Sequence, residues 1–558
     1  MCSSARSGKV PPKLELFTVV LVMLLAVIAS GYVVRVLPFP MPLPLVQIAL
    51  GFVIASLTSY RAALDPELFF LLFLPPLLFL DGWRIPKQGL FKDGAAILEL
   101  ALGLVIFTVV GVGFFIHWLI PSMPIAVAFA LAAVVSPTDP IAVSAIAARS
   151  PIPKRVMHIL EGESLLNDAS GLVCLRFAIA AALTGSFSVV DASLTFLQLA
   201  LGGIGIGVGV TWVITQLKGW LSLKLGEESG SQVLISLIIP FAAYLLAEHF
   251  HCSGILAAVA AGITMSFAEI SGGAKAETRV SRSAVWDMVQ FALNGIIFVL
   301  LGEQLPIVIA SAADTVQTTG HRDLWWLGVY AVAITTALGL LRFVWVWVSL
   351  RMTVLRRRRA GEPAPPQSLR LVAVITVAGA RGAITLAGAL ILPLTLADGT
   401  PFPARDLAIL LASSVIISSL IGASVFLPIL LKGLKVPDEA DAEAAESAAR
   451  NAAAEAAVLA IDKAQHDLAA GQSDPEIYAD VASRIMSLYR TRIEGRSQTG
   501  AAADVVRKND EIERKMRLAG IRAERDKIYA LARERQVGDD VARKLVRELD
   551  LSESRLKA

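Results

Sequence analysis

Long apolar blocks separated by short polar ones dominate the first four-fifths of this sequence. Thirteen apolar stretches reach, or nearly reach, the roughly 20 residues that a helix needs to cross a bilayer. They run over 14–35, 41–58, 67–82, 94–120, 124–148, 156–185, 191–217, 231–250, 252–270, 286–310, 324–350, 368–394 and 405–432. The eighth and ninth are nearly continuous. The pattern predicts an all-α polytopic membrane protein of about 13 transmembrane helices with a helical tail. The divisions are a short N-terminal segment at 1–13, a membrane domain at 14–435 and a C-terminal domain at 436–558.

Composition agrees with that pattern. Hydrophobic residues make up 55% of the 558 and charged residues only 17%, with a mean hydropathy of +0.66. A soluble chain of this length carries more charge. Cys2, Cys174 and Cys252 are too dispersed for a disulfide framework or a zinc site. The first apolar run follows Arg6, Lys9 and Lys13 but lacks a clean small-residue cleavage site, so it reads as an uncleaved first span.

Charge distribution adds orientation. Loops after odd-numbered spans carry sixteen basic residues, among them Arg84, Arg149, Lys218, Arg279 and Arg356 to Arg359. Loops after even-numbered spans carry Arg61, Arg322 and Arg405. Basic loops stay inside, so the tail is expected in the cytoplasm and the N-terminus outside. An odd number of spans then allows two six-span repeats of opposite topology, 1–6 and 8–13, joined by span 7. Span 5 is interrupted by Ser136-Pro137-Thr138-Asp139-Pro140 and span 12 by Ala378-Gly379-Ala380-Arg381-Gly382-Ala383. Paired interruptions in the two halves point to an ion site near the membrane midplane.

The chemistry gathers around Glu161-Gly162-Glu163-Ser164-Leu165-Leu166-Asn167-Asp168, which opens span 6. On a helix Ser164 and Asp168 share one face, and Glu163 and Asn167 form the adjacent stripe. An ionisable side chain inside a membrane helix is costly and marks a functional site by default. Asp168 is therefore the candidate carrier: ionised it binds a cation, protonated it does not. One site that takes either species and crosses loaded with one of them performs exchange. The prolines of span 5 free carbonyls beside Thr138 and Asp139, adding oxygen ligands for a hard monovalent cation. The competing reading of that segment is a kinked structural helix capped by Asp139. Arg342, deep in span 11, needs a carboxylate partner, and Glu163 is the candidate. Arg381 is expected to neutralise dipoles or carboxylates at the span 12 break, its partner open.

Other signals are weak. Gly202 to Gly209 mimics a nucleotide loop but lies inside an apolar span, where close helix packing explains it. His249, His251 and Cys252 lack a fourth metal ligand. Arg176 has no assigned role. No phosphate-binding loop suggests direct ATP drive, no cofactor is implied, and nothing points to nucleic acid or to enzymatic chemistry. Arg356 to Arg359 reads as a clamp on anionic lipid. The tail is Ala-rich and acidic at first; from Asp504 to Ala532 it reads as a solvated helix or helix pair.

Together with Phe73-Leu74-Pro75-Pro76-Leu77-Leu78-Phe79 and Asn294-Gly295-Ile296-Ile297-Phe298-Val299-Leu300-Leu301-Gly302, these motifs resemble the sodium/proton exchanger family, the type 1 cation–proton antiporters, over about 14–432. The tail is similar to those of bacterial members. The resemblance implies a homodimer in a bacterial inner membrane, exchanging sodium for protons by alternating access in pH and sodium homeostasis. It implies that Asp168 is the essential carboxylate, with Thr138, Asp139 and Ser164 near the bound sodium. Glu163, Asn167 and Arg342 match a supporting polar network. The Asn167-Asp168 pair matches the electroneutral branch, one cation per proton. Potassium/proton exchange is the nearest alternative; a cation channel and a membrane sensor are alternatives of other classes.

Overall fold

The computed structural model describes residues 12–557 except 39–40, 58–65, 86–93, 95–97, 140–142, 144–151, 153, 185–188, 227, 271–275, 319–324, 360–367, 397–398, 433–437, 471–474, 498–500 and 535. Pro140, the segment 1–11, Arg61, Arg149, Arg322 and the Pro-rich stretch 361–366 lie outside the described residues, as do the side chains of Arg356 and Arg357. The chain divides into two compact units, Met1–Lys435 and Val436–Ala558.

The first unit is helical throughout, and every apolar stretch of the sequence contains helix. In chain order the helices are α1 (Pro12–Val36), α2 (Leu43–Leu57), α3 (Pro66–Arg84), α4 (Glu99–Leu119, opening with a π-helical turn) and α5 (Ile125–Val135). Next come α6 (Lys154–Thr184), α7 (Val189–Leu225), α8 (Ser229–His249), α9 (Gly254–Ile270), α10 (Ala276–Thr318) and α11 (Trp325–Arg359). Span 12 is two short helices, α12 (Leu369–Val377) and α13 (Ala383–Leu390), and α14 (Arg405–Leu431) closes the unit. Among the described residues, eight helices are long and apolar enough to cross a membrane: α1, α4, α6, α7, α8, α10, α11 and α14. Helices α2, α5 and α9 are apolar but shorter, so length alone does not count the thirteen crossings that the apolar stretches predict. The chain between α8 and α9 turns sharply at His251, whose φ is 53°, so that nearly continuous apolar run is two helices.

Lipid supplies no hydrophobic drive between helices, so close backbone approach matters more. Two reciprocal glycine pairs provide it. Gly51 of α2 lies against the Val299 carbonyl of α10 while Gly302 of α10 lies against the Ile48 carbonyl of α2. Gly82 of α3 meets the Val259 carbonyl of α9, and Gly262 of α9 meets the Phe79 carbonyl of α3. Within the glycine run of α7, Gly203 and Gly207 meet the Ser253 and Ala257 carbonyls at the start of α9, which is packing and not a nucleotide loop. Large apolar side chains such as Leu25, Phe114, Trp118 and Ile429 are exposed on the outside of the unit. At its centre α5 continues into a stretch that is buried without interruption from Ala130 to Thr138.

The second unit comprises α15 (Asp438–Ala469), α16 (Pro475–Ser497), α17 (Ala501–Arg533) and α18 (Asp539–Lys557). Its buried side chains, among the described residues, are few: Ala454, Ala482, Ile521, Ala542 and Val546. Arg525 of α17 ties the last hairpin together, pairing with Asp550 at 2.7 Å and with Glu553, both on α18.

Candidate functional site

Helix α5 stops at Val135 because Pro137 has no N–H to continue the ladder, and Ser136 to Asp139 are non-helical. Span 12 stops at Val377 and resumes at Ala383. The two interruptions touch: the Asp139 N–H donates to the Ala380 carbonyl at 2.7 Å. Helix ends expose carbonyls at one terminus and N–H groups at the other, with partial charges of about half an electron. Each break lends a charged side chain to the other. Arg381 donates through Nε to the Val135 carbonyl of α5 (3.0 Å) and through Nη1 to the Gly379 carbonyl after α12 (2.6 Å). Its main-chain N–H is held by Ser419 Oγ of α14 at 3.0 Å. The Asp139 carboxylate lies against Gly382, the residue capping the N-terminus of α13; a Cβ at 382 would fall on that carboxylate. The partner that sequence left open for Arg381 is therefore a pair of helix C-termini, not an acid.

Beside the breaks, α6 supplies its polar stripes. Glu163, Ser164, Asn167 and Asp168 are all buried, with Glu163 and Asn167 each 1% exposed. Arg342 of α11 donates to both oxygens of Glu163, at 2.5 and 2.7 Å, and its Nε reaches the Ile375 carbonyl of α12 at 3.2 Å. Gly379 leaves the room that this guanidinium fills. Thr138 Oγ1 donates to Glu163 Oε1 at 3.2 Å and accepts from Asn167 Nδ2 at 3.1 Å. One chain of contacts thus links α11, α6 and the α5 break. Two oxygens in it, Ser136 Oγ and Asn167 Oδ1, are buried without a hydrogen-bond partner. Such unpaired buried oxygens are rare in native structures and call for an explanation, a bound water or ion among them. Asp168, the next residue, is 5% exposed, as is Ser164 one turn earlier. The carboxylates acting on Asp168 electrostatically are Asp139, Asp81 and Glu163.

A cavity of about 480 Å³ reaches Ser164 from one end of the bundle. It is lined by Gln47 of α2, Asp81 and Arg84 of α3, Glu161 of α6, and Asp287 and Asn294 of α10. Arg84 pairs with Asp287 and donates to Gln290 Oε1 at 2.8 Å. Asn294 Oδ1 is a third buried oxygen without a partner. Sequence reasoning missed Asp81, which ends an apolar run and reads there as a span boundary. It also gave no role to Glu161, although Glu161, Ser164 and Asp168 follow one helix face at intervals of three and four. Arg176 reaches Glu248, at 3.4 Å on the surface. Among the described residues, no three His, Cys, Asp or Glu side chains are grouped to hold a metal ion, so His249, His251 and Cys252 form no such centre.

These features can be set beside known proteins. The sequence model of a family described as "Sodium/hydrogen exchanger, transmembrane" matches residues 20–433. The chain belongs to the sodium/hydrogen exchanger family. It is thus a transporter and not an enzyme. This exchanger is 41% identical to the uncharacterized Na(+)/H(+) exchanger YjcE of Escherichia coli, over 97% of this chain and 99% of the relative. It is 38% identical to a sodium, potassium, lithium and rubidium/H(+) antiporter of Bacillus pumilus, over 95% of this chain and 77% of that protein. In fold it resembles the sodium proton antiporter MjNhaP1 of Methanocaldococcus jannaschii, with a TM-score of 0.58 at 18% identity, covering 75% of this chain and 99% of that one.

Proposed function

We propose that this exchanger swaps one monovalent cation, sodium or lithium, for one proton, by alternating access. The observation that carries the reading is the meeting of the two helix breaks beside a buried carboxylate and orphaned buried oxygens. Asp168 is the carrier. Asp139, Ser164 and the main-chain carbonyl of Thr138 complete the cation's oxygen shell. The Thr138 hydroxyl itself is committed to Glu163 and Asn167. Asp81, on the cavity wall, draws the cation toward them. Glu163, Asn167, Arg342 and Arg381 hold the frame and carry no transported charge. With Asn167 neutral beside Asp168, one carboxylate changes partner per cycle, and a one-for-one swap moves no net charge.

The cavity is lined by the first halves of α2 and α6, the middle of α10 and the end of α3, on the side of the odd-numbered loops, which are basic except for the one before α2. Basic loops favour the cytoplasm, so this is the inward-open state, with the N-terminus outside and the tail inside a bacterial inner membrane. Arg358 and Arg359, both exposed at the end of α11, sit where anionic headgroups would meet them. The working unit in this proposal is a homodimer serving pH and sodium homeostasis, with the divisions at 435 and 436 separating transport from the tail.

A broader cation range is the second reading. It is favoured by the breadth in the name of the Bacillus pumilus relative. Proteoliposomes loaded with a pH dye, given sodium, lithium or potassium at several clamped potentials, test both. Proton movement driven by sodium or lithium and indifferent to potential supports the first reading. An equal response to potassium supports the second, and flux that follows the potential overturns the one-for-one exchange.

A further inference from the structure

The second unit contains a helix longer than its own packing uses. Helix α17 spans Ala501 to Arg533, but its link to α18 comes from its later part, through buried Ile521 and Arg525. On the opposite face runs a stripe spaced alternately four and three apart: Val505, Asn509, Ile512, Met516, Ala519 and Ala523. Val505, Ile512 and Met516 are 59%, 41% and 70% exposed. Spacing of four and three is the a/d repeat of a coiled coil, with Asn509, Met516 and Ala523 at a and Val505, Ile512 and Ala519 at d.

We infer that this stripe docks against the same helix of a second copy of the chain, in a parallel, in-register two-stranded coiled coil. Charge decides the occupant and its direction. The g positions are Lys508, Lys515 and Arg522, all basic; of the e positions Val506, Glu513 and Gly520, Glu513 alone is charged. A parallel pairing sets Lys508 of each copy against Glu513 of the other. An antiparallel pairing sets g against g, basic against basic. Asn509 at an a position is the side chain that fixes register between two strands, because two asparagines facing each other satisfy one another and an offset pair does not. Within the helix Glu511 bonds Lys515 at 2.7 Å and Glu513 pairs with Arg517, so in the dimer Glu513 is shared between Arg517 and Lys508 of the second copy. With only Val, Ile, Met and two alanines in about three heptads, the contact is weak alone. Two tails tethered by neighbouring membrane units raise their mutual concentration enough to form it.

The test uses the full-length exchanger in membranes, with Cys2→Ser, Cys174→Ala and Cys252→Ser as a background that must still exchange. Met516→Cys in this background is expected to give a covalent dimer on mild oxidation. Arg514→Cys, two residues away on the outer face, is expected to give none, and adding Ile512→Lys is expected to remove the Met516→Cys product. Equal dimer from both positions, or no dimer from Met516→Cys, overturns the inference. So does a photoreactive label on the same cysteine that attaches to the chain's own membrane unit.

Discussion

The breaks in spans 5 and 12 are the same device with opposite charge. Span 5 breaks at a proline and carries an acid, Asp139. Span 12 has no proline in its break; it opens between Gly379 and Gly382 and carries a base, Arg381. Each charge serves helix ends beyond its own break. Arg381 reaches the C-terminus of α5, and Asp139 lies at the N-terminus of α13. Matching positions thus give the two charged side chains different surroundings: carbonyls around Arg381, a helix N-terminus beside Asp139. Arg381 donates through Nε and Nη1 to carbonyls at two helix ends, which suits the proposed role of holding the frame. Asp139 leans on a helix end and still faces the electrostatic surroundings of Asp168, so it can share in binding a cation.

That contrast can be broken at several places. The largest effect falls on the carrier itself. Asp168→Asn is expected to reduce cation-driven proton flux to background while leaving the amount of folded, membrane-extracted protein unchanged; substantial residual exchange would remove Asp168 from its role. Next comes the Glu163–Arg342 pair. Removing one partner of a buried ion pair costs about 3–5 kcal/mol, so Arg342→Ala should lower thermal stability sharply. Glu163→Gln combined with Arg342→Ala should cost less than the two single changes added, and additive losses would argue that the pair is not coupled. Gly382→Ala drives a methyl group onto the Asp139 carboxylate, which should weaken cation binding much more than stability; unaltered cation affinity would separate Asp139 from the site. Arg381→Gln keeps hydrogen-bond donors and loses the charge, so its cost should be near the 2 kcal/mol upper bound for a partly buried helix-end charge, read as a lower melting temperature. The smallest expected effect is Asp81→Asn, a severalfold rise in cation KM with kcat little changed, because Asp81 stands in the cavity through which the cation arrives.

Much of this was legible in the sequence, and for identifiable reasons. Breaks are visible because proline and glycine inside an apolar run have few other uses. The Arg342–Glu163 contact is visible because a guanidinium inside an apolar helix demands an acid, and Glu163 flanks the Asp168 face. Arg381 was only half legible: its ligands are carbonyls, which every residue has, so no side-chain pattern names them. Asp81 was hidden by its place at the end of a hydrophobic run, where an acid ordinarily marks the membrane surface. The reciprocal glycines of α2 with α10 and α3 with α9 were invisible for a related reason, since a single glycine in an apolar span does not say which helix it faces. In span 5 the apolar stretch ran past the helix end at Val135, because hydropathy records burial and not backbone conformation.

In the proposed mechanism one cation and one proton compete for Asp168. Proton release on adding sodium to purified, weakly buffered protein measures that competition without any transport step. Release is expected from the unaltered exchanger, saturating with sodium and growing weaker as the solution becomes more alkaline and the site is already deprotonated. None is expected from Asp168→Asn. Equal release from both proteins, or sodium binding to the unaltered protein with no proton released at acidic pH, would contradict that mechanism.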